Sequence, residues 1–311
     1  MNQYTRKFIQ GVIFEIQRFS IHDGPGIRTT VFLMGCPLNC AWCHNPEGIS
    51  ARPHLSFVPG KCIGCGYCFR ACPKAAHSWR DGRHVLDRAA CVACGTCAAE
   101  CYAGALELVG RSIAVDEVLE EVLRDEPFYQ TSGGGMTLSG GEPLYQIDFA
   151  EALLDAAKQA GLHCCIETSG AAAWERLERL RPGTDLFLYD IKETDPERHR
   201  RYTGAGVEQI LDNLRTLHAR GAHLRLRCPI VPGYNDRPDH FEGIAALARS
   251  LPDIEGIEVM PYHSFGDSKL ERMGLRPEGR AQSRIPEAPE IAAWVRALRD
   301  LGAPVLNESR D

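Results

Sequence analysis

Short apolar runs alternate along the chain with longer segments of helical period. The first run is TTVFLM (29–34), and five later runs each precede a segment in which apolar residues recur every three or four positions. The pairs are MTLSG before QIDFAEALLDAAKQA, HCCIET before AAWERLERL, DLFLYDI before VEQILDNLRTLHARG, HLRLRCPIV before PDHFEGIAALARSL, and IEVMPYH before IAAWVRALRDLG. This pattern predicts an α/β fold with a parallel sheet and helices outside. Because six units are too few for a closed eightfold barrel, we expect an open, partial (β/α)6 TIM-like barrel.

Two of the helical segments have apolar residues along one face. In residues 146–160 these are Phe149, Ala152, Leu153, Ala156 and Ala157. In residues 112–129, SIAVDEVLEEVLRDEPFY, they are Val115, Val118, Leu119, Val122 and Leu123. Each pattern predicts an amphipathic helix, and the second helix is expected to link an inserted module back to the barrel.

Composition and charge exclude several classes of protein. The chain has 311 residues, a formal net charge of −6 and a pI near 6.0, which predicts no basic surface for nucleic acid or an anionic membrane. The first ten residues lack the apolar core of a signal peptide, and no later run is long enough to span a membrane. We therefore expect a cytoplasmic monomer that binds neither nucleic acid nor membrane.

Cysteines are concentrated in one region. Eleven of the fourteen lie between Cys36 and Cys101, and in a reducing compartment metal ligation explains them better than disulfides. The runs CIGCGYCFRAC (62–72) and CVACGTCAAEC (91–101) share the spacing C-x2-C-x2-C-x3-C of bacterial two-cluster ferredoxins, in which the fourth cysteine of each run ligates the other cluster. The spacing predicts two 4Fe-4S clusters, one on Cys62, Cys65, Cys68 and Cys101, the other on Cys91, Cys94, Cys97 and Cys72.

The eight cysteines also define a predicted domain. Residues 53–103 are expected to form an inserted ferredoxin-like domain, and residues 1–52 and 104–311 the barrel. The alternative, two zinc sites with four thiolates each, is expected to show paired CxxC motifs separated by a spacer.

The remaining group, CxxxCxxC, consists of Cys36, Cys40 and Cys43. Three thiolates hold three irons of a 4Fe-4S cluster and leave the fourth iron open to another ligand, as catalytic metal sites do. The alternative is a fourth cysteine from a strand-like apolar run, where a buried cysteine usually acts as a small hydrophobe. The candidates for it are Cys164, Cys165 and Cys228.

Polar residues at the carboxyl ends of the other predicted strands are further candidates, because active sites of parallel barrels lie at that edge. In the SGGEP turn (139–143), glycines let a ligand approach the backbone and Glu142 supplies an acceptor. The alternative is a plain strand-to-helix turn with Glu142 favourable near a helix N-terminus. Asp190 and Lys192 are two residues apart on a strand and therefore share a face, where a zwitterionic ligand would balance their charges. For Lys192 the alternative is a solvated strand end.

The CxxxCxxC motif, with Trp42 before its third cysteine, resembles the cluster motif of the radical S-adenosylmethionine superfamily. The flanking segments DGPGIRTTVFLMGC and NPEG and the eight-cysteine insertion are similar to the larger activating enzymes of glycyl radical enzymes, over essentially the whole chain. The resemblance implies that the amino and carboxylate groups of the methionine moiety of S-adenosylmethionine chelate the open iron, and that cleavage yields methionine and a 5′-deoxyadenosyl radical. This radical takes a hydrogen from a glycine of a partner enzyme, such as a choline lyase, an isethionate sulfite-lyase or a diol dehydratase.

The same resemblance assigns residues to the cosubstrate. They are Trp42, Cys43, His44, Gly140, Gly141, Glu142, Thr168, Asp190, Ile191, Lys192, Arg227 and His263. It also implies a monovalent cation near Glu167, Thr168 and Asp190, with Glu167 in place of the aspartate of the best-known activase. A flavodoxin-like or ferredoxin-like donor is expected to supply electrons, and the two inserted clusters either relay them or serve in docking.

Two other functions stay open. One is a radical enzyme that acts on a small molecule or a peptide. The other is a pure electron carrier, which needs neither the SGGEP turn, nor YDIK, nor an incomplete cluster site.

Overall fold

The computed structural model describes residues 8–275 and 280–307. The first ten residues are expected not to form a signal peptide, and residues 1–7 of that stretch lie outside the described residues. The strands are β1 (Gln10–Ser20), β2 (Arg28–Leu33), β3 (His54–Phe57), β4 (His77–Arg80), β5 (Arg83–Leu86), β6 (Leu106–Val109), β7 (Arg111–Ala114), β8 (Gly135–Gly140), β9 (His163–Thr168), β10 (Leu186–Asp190), β11 (Leu224–Ile230) and β12 (Gly256–Pro261). The α-helices are α1 (Tyr67–Ala71), α2 (Thr96–Ala99), α3 (Val115–Leu123), α4 (Glu126–Ser132), α5 (Ile147–Gln159), α6 (Trp174–Leu180), α7 (Pro196–Thr203), α8 (Glu208–Ala219), α9 (Pro238–Arg249), α10 (Phe265–Met273) and α11 (Ala288–Asp300).

One eight-stranded sheet organises the chain, in the order β12-β11-β10-β9-β8-β2-β1-β7. The strands from β12 to β2 pair in parallel, and β1 and β7 extend that sheet antiparallel at one edge. These parallel strands are the apolar runs of the sequence, and β2 is buried at every position, as a strand covered on both faces must be. The α/β class and the mostly parallel sheet are confirmed. Within the described residues the sheet ends at β12 and β7, which do not pair with each other, so the sheet is open between these two strands.

The helices pack on this sheet through the faces that the sequence predicts. The predicted face of α5 is buried throughout: Phe149, Ala152, Leu153, Ala156 and Ala157. In α3, the valines of the face are buried, and Leu119 and Leu123 pack against the same core. No helix in residues 8–275 and 280–307 is long and apolar enough to cross a membrane.

The predicted single helix over residues 112–129 is wrong in its extent. Residues 112–114 belong to β7, α3 begins at Val115, and a second helix, α4, begins at Glu126. The break has a local cause: Asp125 is fully buried between the two helices and accepts a hydrogen bond from the Thr29 hydroxyl (2.8 Å). Pro127 follows in the first turn of α4, where proline's missing N–H costs no hydrogen bond.

Residues 54–109 form a small unit with two two-stranded sheets of their own. Strand β3 pairs antiparallel with β6, and β4 with β5. The β4–β5 hairpin turns at Asp81 and Gly82, whose φ angles of 50° and 71° are those that a two-residue hairpin loop requires. The core of the unit consists of Leu55, Phe57, Cys68, Cys97, Ala105 and Leu106. A core this small fits a unit that depends on bound metal for its stability.

Candidate active site and metal centres

The three-cysteine loop follows β2 at the carboxyl edge of the sheet. At the start of the loop, the Cys36 N–H donates a hydrogen bond to the Ile49 oxygen (3.1 Å). At its end, the Cys43 N–H donates to the Cys40 oxygen (3.1 Å) and closes a turn. All three thiols are half-buried.

Burial determines the chemistry of these thiols. It raises the pKa of Cys36 and Cys43, and raises the pKa of Cys40 to about 12, so near pH 7 the thiols are protonated unless a cation binds. Metal binding deprotonates thiols and supplies the missing positive charge. Three closely spaced soft ligands of this kind fit an iron–sulfur cluster.

The other three cysteines of the barrel lie inside strands. Cys164 and Cys165 are fully buried in β9, and Cys228 in β11. The Cys164 thiol donates to the Leu162 oxygen (3.7 Å), which accounts for its one proton. This arrangement favours an open three-cysteine site over one completed by a fourth cysteine.

Asp190 and Lys192 meet as an ion pair beside the loop. Lys192 Nζ lies 2.8 Å from Asp190 Oδ2, and both side chains are mostly buried. Burial alone would lower the pKa of Lys192, but Asp190 and the thiols of Cys40 and Cys36 act in the opposite direction, and the net shift is upward. Lys192 is therefore charged, buried rather than solvated, and within electrostatic reach of the cysteine loop.

Glu142 ties two strand ends together. Glu142 is only 1% exposed. Its carboxylate accepts hydrogen bonds from the Thr168 hydroxyl (2.7 Å), the Ser169 N–H (2.9 Å) and hydroxyl (2.6 Å), and the Leu144 N–H (3.3 Å). Burial raises the pKa of Glu142, and these donors oppose the rise. A carboxylate has about four acceptor positions, so the protein's own donors fill them. The geometry favours a supporting role for Glu142 over direct contact with a ligand.

The two glycines of the SGGEP turn pack backbone against backbone. A Cβ on Gly141 would overlap the carbonyl oxygens of Gly35 and Gly48, and a Cβ on Gly140 would overlap the backbone of Leu33. Gly140 also has a φ of +110°, which residues with side chains rarely adopt. The turn therefore needs glycine at both positions to lie against the cysteine loop.

Glu167 is held by Arg227 and Ser139. Its Oε1 lies 2.5 Å from Arg227 Nη1, and its Oε2 accepts a hydrogen bond from Ser139 Oγ (2.5 Å). Burial raises the pKa of Glu167 to about 7; Arg227 opposes that shift, whereas Asp190 and Asp23 add to it. A proton therefore binds Glu167 more tightly in the folded chain than in the unfolded chain.

The Glu167→Gln variant is expected to differ from the wild type in its pH dependence of stability. A carboxyl group with a raised folded-state pKa contributes stability that is complete below its unfolded pKa and lost as the pH rises through the folded pKa. Between pH 4.5 and about 7, wild-type stability should therefore fall relative to Glu167→Gln, by at most about 1.4 kcal/mol per pH unit. Anaerobic urea unfolding of both proteins across this range measures the difference.

Glu175→Gln is the matched control for that measurement, because Glu175 is an exposed glutamate on α6. Its stability difference from the wild type should not change over the same range. An equally flat difference for Glu167→Gln contradicts the assignment of a raised pKa to Glu167.

An aromatic cluster surrounds the third cysteine. The His44 ring stacks on His263 with centroids 3.7 Å apart, and Trp42 packs against Tyr202 and Tyr234 at 5.5 and 6.1 Å. Burial, helped by His263, lowers the pKa of His44 to about 3, so this imidazole is neutral. Among the described residues, Trp42 Nε1, His44 Nε2 and His263 Nδ1 are buried without a hydrogen-bond partner. A ligand with polar edges would supply the partners that such atoms normally have.

Sequence reasoning missed residues that reach this loop from far along the chain. Arg280 Nη1 donates to the Cys43 oxygen (3.1 Å), across a separation of 237 residues. Lys269, on α10, pairs with Glu47 of the NPEG segment (2.6 Å). The helical period of FGDSKLERM could have predicted α10, but nothing local indicates which loop it contacts.

The two four-cysteine runs follow the same backbone course. The equivalent residues Gly64 and Ala93 have φ angles of 71° and 52°, and Gly66 and Gly95 have 75° and 78°. Burial matches as well: Cys65 and Cys94 are exposed, and Cys68 and Cys97 are buried. Ala93 adopts the left-handed region without being glycine, which costs energy and indicates that the geometry of the run is required.

Two cavities divide the eight cysteines into two sets. The smaller cavity is lined by Cys72, Cys91, Cys94 and Cys97. The larger cavity is lined by Cys62, Cys65, Cys68 and Cys101, and it also touches Cys97. The fourth cysteine of each run thus lies in the cavity of the other run, which supports the crossed ligand sets that the spacing predicts.

The family follows from comparison with known proteins. A family model described as the radical SAM superfamily matches residues 30–248. The chain is 41% identical to the benzylsuccinate synthase activating enzyme of Thauera aromatica, over 94% of this chain and 91% of that protein. It is 42% identical to an isethionate sulfite-lyase activating enzyme of Oleidesulfovibrio alaskensis, over 86% of this chain and 89% of that protein. The chain belongs to the radical SAM superfamily, among the activating enzymes of glycyl radical enzymes.

A solved radical SAM structure has the same fold as this activating enzyme. It is a radical SAM methyltransferase from Sphaerobacter thermophilus, 14% identical, with a TM-score of 0.53 over 91% of this chain and 67% of that chain. The family model and the two relatives, rather than this structure, confirm the family implied by the sequence motifs and the radical SAM class of enzyme.

Proposed function

We propose that this activating enzyme holds an open-site 4Fe-4S cluster on Cys36, Cys40 and Cys43, cleaves S-adenosylmethionine there and generates a radical on a glycine of a partner enzyme. The observation that carries the proposal is the position of the Asp190–Lys192 pair, buried within electrostatic reach of the cysteine loop. A buried pair of opposite charges at a metal site is of use for a zwitterionic cosubstrate. An electron carrier has no such requirement.

The charged part of the proposed cosubstrate site comes from the end of β10 and from Arg227 in the neighbouring strand β11. Lys192 and Asp190 are assigned to the methionine moiety, with Ile191 between them. Arg227, assigned to the same site, is 3% exposed and neutralised by Glu167 at 2.5 Å. These charges are fixed by burial, so they position a ligand without reorganising.

The remaining contacts come from the other loops. We assign the adenosine to Trp42, His44 and His263, whose unpartnered ring nitrogens offer polar contacts beside flat ring faces. Gly140 and Gly141 bring the SGGEP backbone against the loop, and Glu142 with Thr168 holds that backbone in place.

When bound, the open-site cluster supplies the electron that breaks the S–C5′ bond of S-adenosylmethionine, which gives methionine and a 5′-deoxyadenosyl radical that takes a hydrogen atom from the partner's glycine. The chain's own residues position the cosubstrate and exclude water from it. A partial (β/α)6 barrel, open between β12 and β7, would leave an entrance for a loop of the partner.

We propose two further 4Fe-4S clusters in the insertion, on the crossed cysteine sets that line the two cavities. The sequence predicts an insertion at 53–103 within a barrel of 1–52 and 104–311. The pairing of β3 with β6 favours an inserted unit that extends further, to Val109. Exposed basic residues outnumber exposed acidic ones on residues 53–103: Lys61, Arg70, Lys74, Arg80 and Arg83 against Asp81, Asp87 and Glu100. This surface fits an acidic flavodoxin-like or ferredoxin-like electron donor.

Three other parts of the proposal have simpler support. The monovalent cation stays a prediction, and a cation near Glu167 and Asp190 would share them with Arg227 and Lys192. A cytoplasmic location fits fourteen free cysteines and oxygen-sensitive clusters. We propose a monomer that binds no nucleic acid, in keeping with the net charge of −6.

Identity to the relatives does not select the partner. Relatives at 41%, 42% and 40% identity are named for benzylsuccinate synthase, isethionate sulfite-lyase and choline trimethylamine-lyase. These names favour activation of a protein over chemistry on a small molecule, because all of them are activating enzymes. A test therefore needs a panel of candidate partners.

The proposal is tested by electron paramagnetic resonance on the anaerobically reconstituted, reduced protein mixed with S-adenosylmethionine and that panel. The expected result is the doublet of a glycine α-radical with one partner, and 5′-deoxyadenosine in equal amount. Accumulation of 5′-deoxyadenosine together with modification of an added small molecule or short peptide would favour the alternative substrate class. No cleavage by protein with fully loaded clusters would support the electron carrier.

A further inference from the structure

Two buried histidines lie between the two cavities of the insertion. The register of the β4–β5 hairpin places His77 opposite Leu86 and His84 opposite Trp79, so these four side chains share one face of the hairpin. His77 lines the smaller cavity and His84 the larger one. Neither histidine belongs to the cysteine pattern, and both are less than 9% exposed.

His84 contacts a proposed cluster ligand. Its Nδ1 lies 3.4 Å from Cys62 Sγ, and its Nε2 lies 2.9 Å from His77 Nδ1. Cys68 Sγ is farther from Nε2, at 3.8 Å. The imidazoles therefore form a chain from His77 through His84 to the sulfur of Cys62.

Hydrogen-bond polarity selects the direction of this chain. A neutral imidazole carries one ring proton, and a cluster-bound thiolate can only accept. A favourable contact with Cys62 therefore needs the proton of His84 on Nδ1, which leaves its Nε2 as an acceptor. His77 can then donate from Nδ1 to that atom, and in doing so it fixes the tautomer of His84.

The other cysteine set has no equivalent contact within the described residues. Its sulfurs contact the backbone N–H groups of Ala76 (3.3 Å) and Ala93 (3.4 Å) and the hydroxyl of Thr96 (3.4 Å). No imidazole in residues 8–275 and 280–307 is hydrogen-bonded to Cys72, Cys91, Cys94 or Cys97. Two sites with the same ligand spacing thus differ in hydrogen bonding to sulfur.

We propose that the His77–His84 pair donates a hydrogen bond to the Cys62 thiolate and raises the reduction potential of the cluster that Cys62 would hold, without acting on the other cluster. Hydrogen bonds to cluster sulfurs stabilise the reduced, more negative state. The inference rests on the proposed assignment of two clusters to the insertion.

The test is a redox titration followed by electron paramagnetic resonance. The full chain carrying Cys36→Ala, Cys40→Ala and Cys43→Ala removes the open-site signal and leaves the inserted clusters. In that background His84→Ala is expected to lower the reduced-to-oxidised ratio of one cluster at least tenfold, a shift of about 59 mV for one electron, and to leave the other unchanged. His84→Asn keeps an N–H near Cys62, so its reduced-to-oxidised ratio should be close to that of the background protein. His77→Ala should lower that ratio less than His84→Ala does. Exchangeable-proton coupling to the reduced cluster, measured by electron–nuclear double resonance, should weaken in His84→Ala.

Trp79→Leu is the matched control, because Trp79 lines the same cavity opposite His84 and has no hydrogen bond to a cysteine among the described residues. Iron and sulfide analysis separates the assignment of two clusters to the insertion from the role of the histidine pair. If the triple variant binds less iron than two 4Fe-4S clusters require, the cluster assignment is overturned. Full loading with unchanged midpoints in His84→Ala, or an equal shift of both clusters, overturns the role of the histidine pair. If His84→Ala fails to load, His84→Asn and His77→Ala decide the same question.

Discussion

Replacing Cys36 with alanine is expected to abolish reductive cleavage of S-adenosylmethionine. Loss of supporting residues around metal ligands already costs about 10–100-fold, so loss of a ligand should lower 5′-deoxyadenosine formation by more than about 100-fold. The site offers no spare thiol, since the barrel's other cysteines are enclosed in β9 and β11. The measurement is chromatographic quantification of 5′-deoxyadenosine from anaerobically reconstituted protein with dithionite as reductant.

Cys62→Ala is the matched control, since it also removes one thiolate but from a cavity of the insertion. In this variant, cleavage of S-adenosylmethionine driven by dithionite should be slowed but should persist. Cleavage driven by a protein electron donor should be uncoupled. Cleavage at the wild-type rate by Cys36→Ala would contradict the assignment of the open site.

The parallel part of the fold could be predicted because its strands are buried on both faces and therefore stand out as apolar runs. Strand β1 lacks that signal, since its residues alternate irregularly between buried and exposed, next to the edge strand β7. The break at Asp125 was missed for a different reason: the apolar period continues across it, and only a buried contact with Thr29, almost a hundred residues earlier, shows why the helix stops. The β4–β5 hairpin was predictable from Asp81 and Gly82, a pair typical of two-residue turns.

Parts of the candidate site were predictable for related reasons. Cysteine spacing reflects the geometry of a metal centre and is therefore local. The expectation that Asp190 and Lys192 both lie on a strand is wrong for Lys192, because β10 ends at Asp190, but the two side chains still meet as an ion pair. The partners of Glu142 are not local, because Thr168 and Ser169 come from the next strand of the sheet. Sequence alone therefore identified Glu142 as an acceptor but could not show that the protein itself fills its acceptor positions.

Replacing Glu142 with alanine is expected to destabilise the protein and to remove binding of S-adenosylmethionine together. Two backbone N–H groups, of Ser169 and Leu144, would lose their acceptor in a buried site, at about 1–3 kcal/mol each, for a total of about 2–6 kcal/mol. The hydroxyls of Thr168 and Ser169 can rotate, so they add less. Anaerobic urea unfolding gives the stability, and equilibrium binding of the cosubstrate to reconstituted protein gives the affinity.

The Glu142→Gln variant distinguishes two roles of Glu142: holding the neighbouring strand ends in place, and binding S-adenosylmethionine directly. Its amide keeps the shape but turns one of the two oxygens into a donor, which must face either the Ser169 N–H or the Leu144 N–H, so stability should fall by about 1–3 kcal/mol. If Glu142 acts as a support, cosubstrate affinity should follow stability and lie between that of the wild type and Glu142→Ala. If its charge instead binds the cosubstrate's amino group, Glu142→Gln should lose affinity as fully as Glu142→Ala although it loses less stability than Glu142→Ala. Glu175→Ala, at an exposed position on α6, should change neither quantity.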